Sequence, residues 1–218
     1  MGVTEMAGKL APIVILVALV LGGIYGGVFT PTEAGAAGAL GALLISLAKR
    51  RLTWASFWQV LVQTGHTTSS ICFLIVGASL YSRMLAMSGM PNWLGTMVAG
   101  SGFGVTGILI AFLLVIILLG TILDSASTML LTLPIAVPIL IGMNVDLIWV
   151  GVLTVLAVEI GLLTPPFGMA VFVVKATLGP DSPISLNDIF LGTLPFVGMM
   201  SIVLAMVLAF PWLATALL

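Results

Sequence analysis

Long hydrophobic runs separated by short polar breaks dominate the chain, and several runs are long enough to cross a membrane. A helix needs about 20 apolar residues to span the hydrocarbon core of a bilayer. An Ala- and Gly-rich helix is predicted over 34–47, where small side chains permit close helix contact. Longer membrane helices are predicted over 10–29, 60–84, 107–123, 146–163 and 189–218. The pattern therefore predicts an all-α chain that lies mostly in the bilayer.

The predicted helix at 34–47 has recognisable ends. Thr30 can cap its N-terminus, Pro31 suits the first helical position, and Glu33 completes a capping box. The helix is expected to stop at Lys49-Arg50-Arg51. Because short cytoplasmic loops collect Lys and Arg, this basic cluster predicts a cytoplasmic loop.

The first polar interruption begins at Asp124, directly after the most apolar run. Ser125, Ser127 and Thr128 follow, so that an acid and three hydroxyl groups stand close together in the sequence. Such groups are costly at membrane depth unless they line a site, and their oxygens suit a hard cation such as Na⁺. Two prolines within 125–141 predict a re-entrant element with a half-helix, a turn and a return. The alternative is that Asp124 is an ordinary N-cap at the membrane surface.

The second interruption is Thr164-Pro165-Pro166, flanked by Gly161 and Gly168. Two consecutive prolines remove two backbone donors, which unwinds a helix and frees carbonyl groups upstream. In lipid those carbonyls need partners, and a cation is a suitable one. The helix that resumes after the break directs its positive N-terminal end towards the interruption, which suits a carboxylate substrate. The alternative is a plain proline kink between packed helices.

Three further polar or reactive residues stand inside apolar stretches. Glu159, about one turn before the second interruption, is a candidate charge partner or proton site and equally a structural group. His66 is expected to be a packing side chain, and Cys72 a small buried hydrophobe. No metal-ligand spacing, nucleophile elbow or phosphate-binding loop is present, which argues against an enzyme.

The composition supports the membrane interpretation. The chain of 218 residues is 61% hydrophobic and 6% charged, with a mean hydropathy of +1.35, whereas soluble domains carry about 25% charged residues. A net charge of −1 with one basic cluster argues against nucleic-acid binding. The single cysteine excludes an internal disulfide. The first apolar run lacks the features of a cleavable signal peptide, and we expect it to remain in the membrane.

Three motifs resemble a known family of membrane proteins. They are Gly22-Gly-Ile-Tyr-Gly-Gly-Val-Phe-Thr-Pro-Thr-Glu-Ala34, Leu119-Gly-Thr-Ile-Leu-Asp124 and Glu159-Ile-Gly-Leu-Leu-Thr-Pro-Pro-Phe-Gly168. In order and spacing they resemble the large membrane subunit of the tripartite ATP-independent periplasmic (TRAP) transporters. The resemblance covers essentially the whole chain, but only the C-terminal half of a subunit built from two inverted repeats. The chain departs from the family's usual Gly-x-Asp-Pro at Gly142-Met-Asn-Val-Asp146, which leaves the start of the following helix open.

The resemblance implies a multi-pass protein of the bacterial inner membrane that belongs to an elevator-type carrier. It implies uptake of an organic anion, such as a C4-dicarboxylate or sialic acid, coupled to Na⁺ and requiring no cofactor. The implied partners are a periplasmic substrate-binding protein, a small four-helix membrane subunit and the missing N-terminal repeat. Its implied Na⁺ and substrate site combines the residues of both interruptions: Asp124, Ser125, Ser127, Thr128, Gly161, Thr164, Pro165, Pro166 and Gly168.

One transmembrane domain, 1–218, is predicted, with three parts. Residues 10–104 form scaffold-like helices, 105–178 a transport region with a hairpin and a discontinuous helix, and 179–218 a loop and a last span. Two other functions stay open. The chain could be a non-transporting membrane scaffold or degenerate fragment, or it could belong to a proton-coupled carrier that titrates Glu159 and Asp124.

Overall fold

The structure is a computed structural model that describes residues 3–50, 52–100, 102–179 and 182–216. Arg51 of the basic cluster and positions 180 and 181 of the predicted polar loop therefore lie outside the described residues. In the described part of the chain, the regular elements are α-helices. They are α1 (Val3–Tyr25), α2 (Pro31–Ala48), α3 (Trp54–Ser88), α4 (Met90–Gly100), α5 (Val105–Gly120), α6 (Ser125–Gly142), α7 (Leu147–Leu163), α8 (Met169–Leu178), α9 (Leu186–Ala209) and α10 (Trp212–Thr215).

The chain divides into two compact units, residues 1–69 and 70–218, with the boundary inside α3. In the first unit, small residues of α2 let it approach α1 closely. A Cβ atom added to Gly38 would stand 2.9 Å from Val20, and one added to Gly41 would stand 2.8 Å from Leu16. The close helix contact predicted for the Ala- and Gly-rich segment is therefore confirmed.

Local capping rules correctly predicted the ends of α2. The N–H of Glu33 donates to Oγ1 of Thr30 at 3.3 Å, and the N–H of Thr30 donates to Oε2 of Glu33 at 2.9 Å. Pro31 occupies the first helical position, and Lys49 is the C-cap.

The start of α7, left open because 142–146 depart from the family's Gly-x-Asp-Pro pattern, is now resolved. Asp146 caps α7 through a 2.7 Å hydrogen bond from the N–H of Ile148. An acidic cap replaces the missing proline as the signal that starts this helix.

The second unit is organised around α7, which packs against α5, α6, α8, α9 and α10. Leu153, Ala157 and Val158 of α7 are completely buried, and Leu109 and Ile116 of α5 pack in the same core. The indole N–H of Trp149 donates to the carbonyl of Val207 at 2.7 Å, which ties α7 to α9. The core of this unit thus holds in place the two helices, α5 and α7, that end at the polar interruptions.

The predicted half-helix, turn and return over 125–141 is wrong, because a single helix, α6, runs from Ser125 to Gly142. Its prolines, Pro134 and Pro138, lie inside the helix. Proline is tolerated in membrane helices when packing and neighbouring groups compensate for the lost hydrogen bonds. Here Thr128, Thr132, Ala136 and Leu140, spaced four residues apart, form a continuous buried stripe that keeps α6 in one piece.

Cys72 and His66 are both exposed on α3, contrary to the predictions of a buried cysteine and a packing histidine. Phe73, the neighbour of Cys72, is 79% exposed. A hydrophobic side chain of a membrane helix is stable against lipid and needs no cover from its own chain, so an apolar sequence does not predict burial here.

Among the described residues, four helices are long and apolar enough, by length and composition, to cross a membrane: Pro31–Ala48, Trp54–Ser88, Ser125–Gly142 and Leu186–Ala209. In contrast, α5 and α7 have 16 and 17 residues, or about 24–26 Å at 1.5 Å per residue. Both are shorter than the hydrocarbon core, which is about 30 Å thick. The 18 residues of α2 and α6 also reach only about 27 Å, so α5 and α7 are one or two residues shorter than the shortest of the four candidate spans.

Candidate functional site

The first interruption is a short loop between α5 and α6. Asp124 is the N-cap of α6, and its Oδ2 accepts a hydrogen bond of 3.2 Å from the N–H of Ser127. The capping role, one of the two interpretations of this acid, is therefore confirmed. Capping does not require the negative charge, because Asn caps a helix as well as Asp does. The charge of Asp124 remains available for a second role.

The three hydroxyl residues after Asp124 do not point to one side of α6. Ser127 lines a cavity that faces α3, whereas Thr128 belongs to the buried stripe on the packed side of the helix. Ser125 is half-buried in the first turn. The structure therefore separates Thr128 from Ser127, although the sequence places them next to each other.

Thr128 has an unusual environment. Its side chain is completely buried, and Oγ1 has no hydrogen-bond partner among the described residues. Thr132, one turn further along the same face, donates its hydroxyl to the carbonyl of Thr128 at 2.8 Å and is thus satisfied. Buried polar atoms in proteins nearly always have a partner, and an exception calls for an explanation such as a bound ion.

The second interruption separates α7 from α8. The hydroxyl of Thr164 donates to the carbonyl of Ile160 at 2.6 Å, and its N–H donates to the carbonyl of Gly161 at 3.0 Å. The peptide bond between Pro165 and Pro166 is cis. Because Pro166 has no N–H, the carbonyl of Leu162 cannot form its helical hydrogen bond. The break therefore offers two oxygens to a ligand. One is the carbonyl oxygen of Leu162, and the other is Oγ1 of Thr164, which donates its hydrogen to Ile160 but keeps its lone pairs.

The structure brings the two interruptions together. The N–H of Gly168 donates to the carbonyl of Thr121, in the first loop, at 3.1 Å. Gly168 has a φ of +46°, and a Cβ atom there would stand 2.7 Å from the ring of Phe190, so that the position suits glycine. This hydrogen bond fixes the end of the Pro-Pro break against the loop that leads to Asp124.

A second close contact involves Gly120, which directly precedes Thr121, and Gly161, seven residues before Gly168. Gly161 of α7 faces Gly120 of α5, and a Cβ atom added to Gly161 would stand 2.7 Å from the carbonyl oxygen of Ile117. Two glycines at the crossing let the two backbones touch, as small residues do at membrane helix contacts. The predicted site residue Gly161 is thus placed at a backbone contact, where its role is packing.

Gly120 and Thr121 are site residues that the sequence reasoning did not select. Thr121 is 4% exposed, its carbonyl accepts from Gly168, and its hydroxyl donates to the carbonyl of Leu118 at 2.8 Å. Both belong to the second motif, Leu119–Asp124, four and three residues before Asp124. The sequence signal that could have identified them is a glycine followed by a polar residue at the end of an apolar run. Such a pair predicts a helix end, and it equally predicts a close approach of two backbones.

Glu159 does not face this contact. It is exposed, whereas its neighbours Val158 and Ile160 are buried. The structure therefore places its carboxylate on the uncovered side of α7, away from the core. No group of three or more His, Cys, Asp or Glu that could hold a metal occurs among the described residues. The oxygens that the two interruptions carry are hydroxyl, carbonyl and carboxylate oxygens, which suit hard cations rather than transition metals.

Comparison with known proteins identifies the family. The sequence model of the tripartite ATP-independent periplasmic transporter, DctM component, matches residues 2–213. The sialic acid TRAP transporter large permease protein SiaM of Vibrio cholerae is 32% identical over 194 residues, 88% of this chain and 44% of the relative. The C4-dicarboxylate TRAP transporter large permease protein DctM of Pseudomonas aeruginosa is 32% identical over 166 residues, 76% of this chain and 39% of the relative.

A third relative has a different named substrate. The 2,3-diketo-L-gulonate TRAP transporter large permease protein YiaN of Escherichia coli is 28% identical over 180 residues, 82% of this chain and 41% of the relative. The chain spans less than half the length of these curated relatives, which agrees with the predicted half of a large subunit. The motifs, the apolar helices and the family match lead to one conclusion: the chain is an integral membrane protein that belongs to the DctM component family of the TRAP transporters.

Proposed function

We propose that this chain forms half of a Na⁺-coupled carrier of organic anions, and that Na⁺ binds where the α5–α6 loop meets the Pro-Pro break. The observation that carries the proposal is the buried hydroxyl of Thr128, which has no partner among the described residues. It lies in the first turn of α6, directly after the loop that accepts the N–H of Gly168. A cation supplies the missing partner without requiring a donor.

The two interruptions carry the kinds of oxygen that Na⁺ needs. Asp124 supplies a negative charge, the freed carbonyl of Leu162 supplies a dipole, and the hydroxyl of Thr164 directs lone pairs away from the hydrogen bond it donates. In secondary transporters, unwound carbonyls and helix ends hold coupling ions at breaks of this kind. Ser125 and Ser127 flank the site, and Ser127 acts through its N–H on Asp124.

The substrate would bind beside this ion. The N-terminus of α8 begins at Met169, directly after the break, and its positive end suits a carboxylate. The relatives are named for sialic acid, C4-dicarboxylates and 2,3-diketo-L-gulonate, which are all organic acids. We assign this chain to the same substrate class, with a periplasmic binding protein and a small membrane subunit as partners in the bacterial inner membrane.

Both interruptions lie in the same compact unit, residues 70–218. We propose that within this unit a transport region, 105–178, carries ion and substrate together, as an elevator mechanism requires, while helices of 10–104 serve as scaffold. The remaining half of the permease would complete the substrate site. A proton-coupled carrier is the second candidate, favoured only by Glu159, an exposed acid within the apolar helix α7.

Replacing Thr128 by Val is expected to weaken Na⁺ coupling without destabilising the chain. Val has nearly the shape of Thr, and removing a hydroxyl that has no partner relieves a desolvation penalty. We expect the half-saturating Na⁺ concentration of uptake by the complete carrier to rise at least about tenfold, which corresponds to one lost ligand. The thermal midpoint of the purified chain, measured in choline chloride, should stay equal or rise.

Thr132→Val is the matched control, because Thr132 is buried on the same stripe but already has a partner. It should leave the Na⁺ dependence unchanged. Equal Na⁺ dependence in wild type and Thr128→Val would contradict the proposed site.

Uptake that follows a proton gradient and ignores Na⁺ would favour the proton-coupled carrier. Loss of that uptake in Glu159→Gln would identify Glu159 as the group that binds the proton. A complete carrier that moves no organic acid would favour a scaffold or remnant.

A further inference from the structure

Gly168 is the residue at which three parts of the second unit meet. Its N–H donates to the carbonyl of Thr121 at 3.1 Å, and its carbonyl accepts the N–H of Val171 at 2.8 Å in the first turn of α8. A Cβ atom added to Gly168 would stand 2.7 Å from Cε1 and 3.2 Å from Cζ of Phe190 in α9. The edge of the phenyl ring therefore lies against the α-carbon of Gly168. The ion site proposed above does not include Phe190.

Gly168 has little conformational preference of its own. Glycine adopts positive and negative φ about as readily, so the φ of +46° is not favoured intrinsically. No side chain caps α8 at Gly168, and a single backbone hydrogen bond has a modest net effect on stability. Contacts with neighbouring elements therefore decide how firmly Gly168 is held. The ring of Phe190 lies on the side where every other amino acid carries its Cβ atom.

Phe190 is itself held beside α8. It lies near the start of α9, which begins with a capping box at Ser185. The ammonium group of Lys175, on α8, donates to the carbonyl of Ile184 at 2.7 Å, directly before that capping box. The beginning of α9 is thus fastened to α8. Phe190 is half-buried there, whereas Phe196, further along α9, is 65% exposed.

These contacts connect Phe190 to the place where the two interruptions meet. We propose, on the basis of the Na⁺ site proposed above, that Phe190 is a positioning residue for that site. Its ring keeps Gly168 in the conformation that donates to Thr121, and so keeps the Pro-Pro break against the α5–α6 loop. When the binding-competent arrangement is populated only part of the time, the apparent affinity falls by that fraction. Phe190 thus raises the affinity for Na⁺ by acting through Gly168.

Phe190→Ala tests this role in the purified chain without Na⁺. Removing the ring leaves an empty space beside Gly168, so the N–H of Gly168 should separate from Thr121 more often. We expect the Gly168 amide to exchange with deuterium at least about tenfold faster, relative to the amides of the α7 core, because local opening governs exchange at such sites. Mass spectrometry of peptides across the break suits the measurement, since Pro165 and Pro166 carry no amide hydrogen.

Two controls on α9 separate positioning from a general loss of stability. Leu204 is 9% exposed in the core around α7, about 21 Å further along the helix than Phe190. Leu204→Ala should lower the thermal midpoint and leave the relative exchange of the Gly168 amide unchanged. Phe196→Ala removes an equal ring that is mostly exposed, and it should leave the relative exchange of Gly168 unchanged as well.

The complete carrier provides the functional measurement. In Phe190→Ala, the half-saturating Na⁺ concentration of uptake should rise at least about fivefold, as for a site whose competent arrangement is populated one-fifth of the time. The maximal rate at saturating Na⁺ should stay close to that of the wild type, because bound Na⁺ restores the arrangement. A loss of maximal rate at unchanged half-saturation would contradict positioning.

A double-mutant cycle tests the contact itself. Gly168→Ala introduces a Cβ atom that overlaps the ring of Phe190, and should lower the thermal midpoint. The same change made in the Phe190→Ala background should lower the midpoint less, because the ring is gone. Additive effects of the two changes would show that the ring does not press on Gly168.

Failure of this role and failure of the Na⁺ site give different results. Unchanged exchange of Gly168 in Phe190→Ala, or an equal increase in Leu204→Ala, would overturn the positioning role. Faster exchange with an unchanged Na⁺ dependence of uptake would overturn it too, because Gly168 would then not affect the affinity. A wild-type chain that Na⁺ does not stabilise would refute the Na⁺ site, whereas the exchange measured without Na⁺ would still report whether Phe190 holds Gly168.

Discussion

Replacing Asp124 by Asn is expected to abolish Na⁺-driven uptake by the complete carrier while leaving the fold of this chain intact. Asn caps a helix as well as Asp does, so the hydrogen bond from the N–H of Ser127 should persist. What disappears is the one negative charge in the loop between α5 and α6. Loss of a charged partner of a partly buried cation corresponds to about 3 kcal/mol, or roughly a hundredfold in Na⁺ affinity.

Asp124→Ala separates capping from charge in the same position. It removes both functions and should lower the stability of the chain by about 1 kcal/mol in addition to its effect on uptake. Uptake at a series of Na⁺ concentrations and the thermal midpoint without Na⁺ measure the two effects separately. If Asp124→Asn transports normally and only Asp124→Ala is impaired, Asp124 is a cap and has no role in binding Na⁺.

Replacing Gly161 by Ala is expected to be the most destabilising single-methyl change in the second unit. The new Cβ atom would stand 2.7 Å from the carbonyl oxygen of Ile117 and 2.8 Å from the Cα atom of Gly120. Both obstacles are backbone atoms in a packed crossing, so a rotamer change cannot relieve the overlap. Overpacking of this kind costs about 1–3 kcal/mol, measured as the free energy of unfolding or a lower thermal midpoint in detergent.

Gly151→Ala is the control on the same helix. A Cβ atom at Gly151 meets nothing within 4 Å, and Ala in an open helical position stabilises by about 0.5–1 kcal/mol relative to Gly. The two variants are therefore expected to shift the midpoint in opposite directions. A neutral Gly161→Ala variant would show that α5 and α7 do not touch as closely as the structure indicates.

Local rules predicted those features of the fold that local interactions determine. The capping box of Thr30 and Glu33, the short helix after the Pro-Pro break and the N-cap at Asp124 each depend on residues within one helical turn. The sequence therefore indicated the positions of both polar interruptions. The three motifs also predicted the family of transporters, and the family match confirms this prediction.

Features that depend on long-range contacts were not predictable in the same way. The hydrogen bond from Gly168 to Thr121 joins residues that no local rule connects. Pro134 and Pro138 were expected to break α6, but a buried stripe that packs against other helices holds it together. Exposed Cys72 shows a third limit, because hydrophobic residues in a membrane protein are stable against lipid as well as against protein.

The central claim is that the contact between the α5–α6 loop and the Pro-Pro break binds Na⁺. Titrating the purified wild-type chain with NaCl, against choline chloride and KCl at equal ionic strength, tests it most directly by the thermal midpoint. The account predicts a saturable stabilisation by Na⁺ alone, about 2.7 kcal/mol at a concentration one hundred times the dissociation constant. Equal midpoints in the three salts up to saturating concentrations would contradict it.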